Sequence, residues 1–421
     1  MFKSALLALV SLVPVFVNAA QPLSGRSDAP STRAAADVNP YTGYQIDVDE
    51  WQIYLTPYYA DEVKAAAAKI SDATQKAKAL KVATIPTFTW LDVASKVPTL
   101  GTYLADASAK GKASGQKYLV QIVVYDLPDR DCAALASNGE YSVGNGGVAK
   151  YQSYIDAIAA QVKSMYGGFF GVLFLMTSGF PLEYPDVRVV AVVEPDSLAN
   201  LVTNLSVQKC SGAQNAYKQG VIYAMKQLNA VGVYMYLDAG HAGWLGWPAN
   251  LTPAAQLFAQ LYRDAGSPAF VRGLATNVAN YNTITANSPD PITQGNPNYD
   301  EIHYINNLAP ALSAGGFPAH FLVDQGRSGV QNIRQQWGDW CNVKGAGFGA
   351  RPTLNTGSSL IDAIVWVKPG GESDGTSSPT SPRYDAHCGL SNRDAATGAP
   401  EAGTWFQSYF ETLVKNANPA L

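Results

Sequence analysis

Seven stretches of the chain are predominantly apolar: Val82–Trp90, Tyr118–Asp126, Val187–Glu194, Val231–Asp238, Val271–Ala279, His320–Asp324 and Ala363–Val367. Between them run longer segments with apolar residues every three to four positions, such as Ala60–Lys81, Tyr151–Lys163, Ala213–Val231 and Thr252–Ala265. That spacing is helical. Strands buried on both faces read as near-continuous apolar runs, and helix-length connections between them imply parallel pairing. The pattern predicts an α/β fold, a distorted parallel (β/α) barrel of about seven strands. The active site of such a barrel lies at the strand C-terminal ends.

The polar residues support that placement. Val189-Val190-Ala191-Val192-Val193 delivers Glu194-Pro195-Asp196-Ser197, and Gln121-Ile122-Val123-Val124 delivers Tyr125-Asp126-Leu127-Pro128-Asp129-Arg130-Asp131. Trp90 follows the first run, and Asp238, His241, Trp244 and Trp247 follow the fourth. Asn277 and Asn280 follow the fifth, Asp324, Gln325 and Arg327 the sixth, and Lys368, Glu372 and Asp374 the seventh. Strands commonly end in polar turn residues, but turn chemistry alone explains poorly why carboxylates recur with tryptophans. Two strand-end carboxylates are what acid-catalysed glycoside cleavage needs.

Composition narrows the classes. The chain has 421 residues, net charge −4 and 15% charged residues, which suits a globular protein. No basic cluster stands out, which argues against nucleic acid or an anionic membrane as partner. The 8 Trp and 23 Tyr suit stacking on flat, weakly charged ligands as well as core packing. Residues 1–20 read as a secretory signal, with Lys3 before an apolar Ala5–Val17 and small residues at Asn18-Ala19-Ala20. Residues 21–36 read as a short disordered stub, and 37–421 as one catalytic domain with no carbohydrate-binding module. Secretion permits disulfides, and Cys132, Cys210, Cys341 and Cys388 allow three pairings. Asn204-Leu205-Ser206 and Asn250-Leu251-Thr252 are sequons suited to a secreted glycoprotein.

Four ordered motifs resemble glycoside hydrolase family 6, and most closely its fungal cellobiohydrolases. They are Tyr125 to Ala134, Glu194 to Asn200, Asp238 to Trp244 and Trp366 to Gly375. The resemblance runs from about Asn39 to the C-terminus. It implies hydrolysis of β-1,4-glucan with inversion, on cellulose and cello-oligosaccharides, by a secreted monomer without cofactor. It also implies the disulfides Cys132–Cys210 and Cys341–Cys388. By resemblance Asp196 is the general acid and Asp131 the carboxylate that raises its pKa by like-charge repulsion. Asp374 matches the family's proposed base, acting directly or through a chain of waters, with Tyr125 and Ser137 placing the sugar and the nucleophilic water. Trp90, Trp244, Trp247 and Trp340 match sugar platforms, and Arg130, Asp238, His241, Asn280, Lys368 and Glu372 match their polar neighbours. His241 has no second histidine at ligand spacing among the four in the chain, so no metal is expected. Position 373 is Ser where relatives often carry Cys, which leaves the other four cysteines to pair.

Long segments at Ala136–Val148 and Gly370–Cys388 are expected to roof the cleft, which favours a cellobiohydrolase releasing cellobiose from non-reducing ends. The competing readings are an endoglucanase of the same fold and a non-catalytic glucan-binding protein. One segment departs from the family. Tyr166–Glu183 is uncharged before Glu183 and glycine-rich at its start, whereas relatives pass almost directly from the preceding helix to Tyr184-Pro185-Asp186. We read residues 166–183 as a retained intron translated in frame. Peptide mass spectrometry of the secreted enzyme is expected to find Ser164-Met165 joined to Tyr184; tryptic fragments covering Phe169–Phe180 would defeat this.

Overall fold

A computed structural model describes residues 38–43, 53–164 and 187–421. The signal, the stub and the 166–183 insertion lie outside the described residues. Each of the seven apolar runs overlaps a strand: β1 Thr89–Leu91, β2 Tyr118–Val124, β3 Val187–Val193, β4 Tyr234–Asp238, β5 Val271–Thr276, β6 His320–Asp324 and β7 Ile361–Val365. They form one sheet in chain order, and every neighbouring pair is parallel. The sheet curls into a distorted barrel whose edge strands are β1 and β7.

The described helices are α1 Pro57–Ala68, α2 Ala73–Val82, α3 Val97–Ser114, α4 Gly147–Ser164, α5 Ser197–Thr203, α6 Gln208–Ala230, α7 Pro248–Asp264, α8 Glu301–Ala314 and α9 Gln407–Lys415. Two expectations need correction. The helical segment 60–81 is two helices, because Asp72 caps a new one by accepting from the Gln75 amide at 2.7 Å. The first strand is only three residues long: Val82 still belongs to α2, and Pro86 cannot donate to a ladder. Helices α3 and α8 escaped the sequence pattern; α3 carries glycines at 101 and 111, and α8 holds Pro310 inside it.

Alternation along the strands sorts two cores. Val120, Ile122 and Val124 of β2 and Val189, Ala191 and Val193 of β3 pack outward with the helices. Leu119, Val123, Val190, Val192, Tyr234 and Tyr236 pack together inside the barrel. Burying each such aliphatic side chain contributes roughly 1.5–3 kcal/mol. The same period of two carries Tyr125, two residues past Val123, to the inner side of the mouth.

Side chains close what the ladder leaves open. At the mouth, the Trp90 indole N–H donates to the Val367 carbonyl at 3.0 Å, joining β1 to the end of β7. At the opposite end, Asn39 donates to the Asp362 carbonyl at 3.0 Å and the buried Tyr41 hydroxyl donates to Gln121 at 2.9 Å. Above that plug, Arg272 grips the Asp362 carboxylate through Nε at 2.8 Å and Nη2 at 2.9 Å, and Tyr236 donates to it at 2.6 Å. Removing one partner of a buried ion pair strands the other charge. We expect Asp362→Ala to cost about 3–5 kcal/mol in chemical denaturation, and Asp362→Asn less.

Candidate active site

The strand ends share an uncommon backbone. Asp129 and Asp131 after β2, Glu194 and Asp196 after β3, and Asn277 and Ala279 after β5 all have φ between 55° and 61°. A non-glycine residue held there costs on the order of 1–3 kcal/mol, and such residues cluster at functional sites. Local bonds hold them. The Glu194 carboxyl accepts from the amides of Asp126 and Leu127 at 3.2 and 3.3 Å, tying the end of β3 to the end of β2. The Asn277 side chain donates to the Asp324 carbonyl at 2.7 Å, tying β5 to β6.

Asp196 occupies the N-cap position of α5, yet its side chain makes no capping bond. Its left-handed backbone, with φ 61°, sends the carboxyl into the cleft instead. The backbone is pinned because the Asp196 amide donates to the Asp238 carboxyl at 3.0 Å. Burial holds the Asp196 carboxyl well above the usual carboxylate range, and Asp238, Asp131 and Asp374 add like-charge repulsion in that order. The expected repulsion from Asp131 is present, but burial is the larger cause. Asp131 is itself raised by burial, against which the Ser137 amide, donating at 2.7 Å, and Lys209 favour its ionised form.

Asp374 is bound differently. Its Oδ2 accepts from Arg327 at 2.6 Å, from the Asn342 amide at 2.8 Å and from the Tyr281 hydroxyl at 3.1 Å. The Lys368 ammonium lies 3.9 Å from Oδ1. Arg327 is nearly fully buried; its place at the end of β6 was visible in the sequence, its partnership with Asp374 was not.

These groups line one cavity of about 480 Å³ at the barrel mouth. Of the expected residues, Trp90, Tyr125, Asp131, Ser137, Asp196, His241, Trp244, Asn280, Trp340, Lys368 and Asp374 reach it. Asn200, Trp337 and His387 also line it and were not singled out, and Asn204, marked in the sequence only as a sequon, lines it too. Glu372 faces an adjoining pocket of about 230 Å³ that shares Trp90, and burial pushes its carboxyl up to about 7 while Lys368 opposes. His241 is a neutral imidazole, with burial lowering its pKa to about 3; its Nδ1 accepts from the Gly243 amide at 3.1 Å.

Three expected sugar contacts are placed otherwise. Asp238 is 2% exposed and holds the Asp196 and Gly240 amides from beneath the cleft. Arg130 is 5% exposed; it donates to the carbonyls of Tyr125, Asp92 and Ser137, and lies over the Tyr125 ring at 4.4 Å. It organises the turn because its guanidinium is consumed by carbonyls. Trp247 is not a wall of the cavity; it packs edge-on against Trp337, which is.

The two roof segments meet. The Leu135 amide donates to Asp385 at 2.9 Å, and Ala136 packs on Cys341 and Cys388. A Cβ on Gly375 would lie 2.6 Å from the Cys388 sulfur and 2.7 Å from Ala136, so only glycine fits there. Both expected disulfides are formed, Cys132–Cys210 with Cα atoms 4.8 Å apart and Cys341–Cys388 with Cα atoms 5.1 Å apart.

Comparison with known proteins agrees with this geometry. The profile described as glycosyl hydrolases family 6 matches residues 48–172 and 180–417. Exoglucanase 3 of Agaricus bisporus is 60% identical over 472 aligned positions spanning all of both chains. A probable 1,4-β-D-glucan cellobiohydrolase C of Aspergillus fumigatus is 59% identical over 384 residues, 91% of this chain and 78% of that one. Among solved structures, the CcCel6A catalytic domain complexed with p-nitrophenyl β-D-cellotrioside superposes with TM-score 0.84 at 62% identity, over 91% of this chain and 99% of the other. Cellobiohydrolase II of Humicola insolens, in complex with glucose and cellotetraose, does so with TM-score 0.81 at 52% identity, over 91% of this chain and 100% of the other. A half-buried acid at the end of β3, a second acid at the end of β2 and a tryptophan-lined, roofed mouth thus sit in a chain that belongs to glycosyl hydrolase family 6.

Proposed function

We propose that this chain is a secreted, inverting β-1,4-glucan hydrolase that releases cellobiose from non-reducing ends of cellulose. The observation that carries this is Asp196, a half-buried carboxyl freed from helix capping, raised by desolvation and neighbouring acids, at the mouth of a tryptophan-lined cleft. Its proton is available to the leaving oxygen of the scissile bond. Trp90, Trp244 and Trp340 offer indole faces to glucose rings, which are apolar on their faces and polar at their rims. His241, Asn280 and Lys368 offer polar atoms to those rims. The relatives named exoglucanase and cellobiohydrolase support the substrate class.

Inversion requires a water on the far face of the sugar to lose a proton. Asp374 is committed to Arg327, Asn342 and Tyr281, which supports relay through water over direct abstraction by Asp374. Asp131 then balances the charge that develops on the ring, with Tyr125 and Ser137 beside it. Contact between the roof segments through Ala136 and Cys388 supports end-on cleavage over internal cleavage. The chain acts as a monomer outside the cell. The gap in the family match at 173–179 falls within 166–183 and supports reading that segment as retained intron sequence.

Cellohexaose should first yield cellobiose and cellotetraose in equal amounts, with the newly formed reducing end in the α configuration by NMR, and the cellotetraose should then be cut to cellobiose. Early β anomer would overturn the inverting assignment, and cellotriose or glucose as major early products would overturn the exo assignment. Asp196→Asn should lower kcat by at least about 10²-fold with KM changed less than about threefold, as loss of a general acid does. Because the Asp196 carboxyl is raised, activity should persist well above the ordinary carboxylate pKa of about 4 and fall as pH rises through the shifted value. Loss of activity just above pH 4 would place the working proton elsewhere.

A further inference from the structure

Lys209 is the second residue of α6, where the helix dipole disfavours a cation, and burial lowers its pKa further. Something must offset that cost. Its ammonium donates to the Arg130 carbonyl at 2.9 Å, the Asp131 carbonyl at 3.1 Å and the Asn138 side-chain oxygen at 2.5 Å. An ammonium has three donors, and all three end on the turn that carries Asp131. Two consecutive carbonyls converge on it from a residue with φ 58°, and Asn138 closes the far side of the same turn. Among the described residues, no ion pair includes Lys209. Its charge is therefore met by carbonyl dipoles and left to act on the acids around it.

We propose that Lys209 is a positioning residue for the catalytic pair: it holds the left-handed turn at Asp131 and sets a positive charge beside the Asp131 carboxyl. This rests on the roles of Asp131 and Asp196 proposed above. The charged groups facing Lys209 are Asp131, Asp129 and Arg130, and Asp385 faces Asp131 from the opposite roof segment. Of these, Lys209 and Arg130 favour the ionised Asp131, and Asp385 opposes it. An ionised Asp131 repels ionisation of Asp196, so the proton stays on the acid. The neighbouring Cys132–Cys210 disulfide fastens α6 to the same turn from one residue away on each side. The covalent link sets the distance and the ammonium sets the orientation and the charge.

The test uses the full secreted chain with its disulfides intact, as Lys209→Met, Lys209→Gln and Lys209→Arg. Each variant is assayed for kcat and KM on cellotetraose across pH, and for thermal midpoint. Met and Gln should lower kcat at least about tenfold with KM within about threefold. They should also move the acid limb of the kcat profile upward by about half a pH unit or more, because removing a positive charge makes Asp131 easier to protonate. Arg keeps the charge and should return the acid limb to its wild-type place, recovering kcat only in part because a planar guanidinium cannot aim three donors at those acceptors. An unmoved acid limb in both neutral variants would overturn the inference. So would an Arg variant as impaired as Met with an equal fall in thermal midpoint, which marks a purely structural lysine. If Lys209→Met fails to accumulate, Lys209→Gln decides. Asp196→Asn, run alongside, separates the two levels: full hydrolysis by that variant would sink the catalytic assignment itself rather than the role of Lys209.

Discussion

Parallel strands deliver their C-terminal residues to one rim, and the left-handed backbone at that rim decides where the carboxyls point. Asp196 stands where an aspartate ordinarily caps a helix. Had it adopted the extended backbone of an ordinary N-cap, its oxygen would accept from the first turn of α5 and its charge would be stabilised there. With φ 61° it instead leaves the helix and enters the cleft. The strain is sustained by Asp238, which accepts the Asp196 amide from the end of β4, and by Glu194, which accepts two amides from the end of β2. Each strand end is thereby held by its neighbour, and the acid geometry is a property of the whole sheet.

The same arrangement separates the tasks of several carboxyls. Desolvation and neighbouring acids raise the Asp196 carboxyl, while Asp374 accepts from Arg327, Asn342 and Tyr281. Asp238 never meets the cleft; it converts the Asp196 amide into a fixed point. The family resemblance gave them separate roles, as acid, base and sugar neighbour. Burial and hydrogen-bond partners divide them.

Much of this was legible in the chain because parallel barrels write themselves in apolar runs. All seven strands, and the strand-end placement of Trp90, Asp131, Asp196, Trp244 and Asp374, followed from where those runs stop, while Ser137 and Trp340 came from the family resemblance. Residues whose role depends on long-range pairing did not. Arg327 pairs with Asp374 across 47 positions, and Trp337 and His387 reach the cavity from loops with no periodic signal. Arg130 and Asp238, expected beside the sugar, do not line the cavity for a related reason: a motif records which side chains travel together, not which of them faces inward. The first strand shrank because Pro86 interrupts a run whose hydrophobicity alone suggested nine residues, 82–90.

The roof shows why the loops cannot be treated apart from the chemistry. Asp385 accepts the Leu135 amide, and the Ser137 amide two residues on donates to Asp131. The contact between residue 135 and the 370–388 segment thus reaches the turn that carries Asp131. Arg130 grips the same turn at the Ser137 carbonyl. Loss of the Leu135–Asp385 bond would therefore be felt at Asp131 through two residues of backbone and the Ser137 amide, so the loop contact and the placement of that carboxyl form one structural unit.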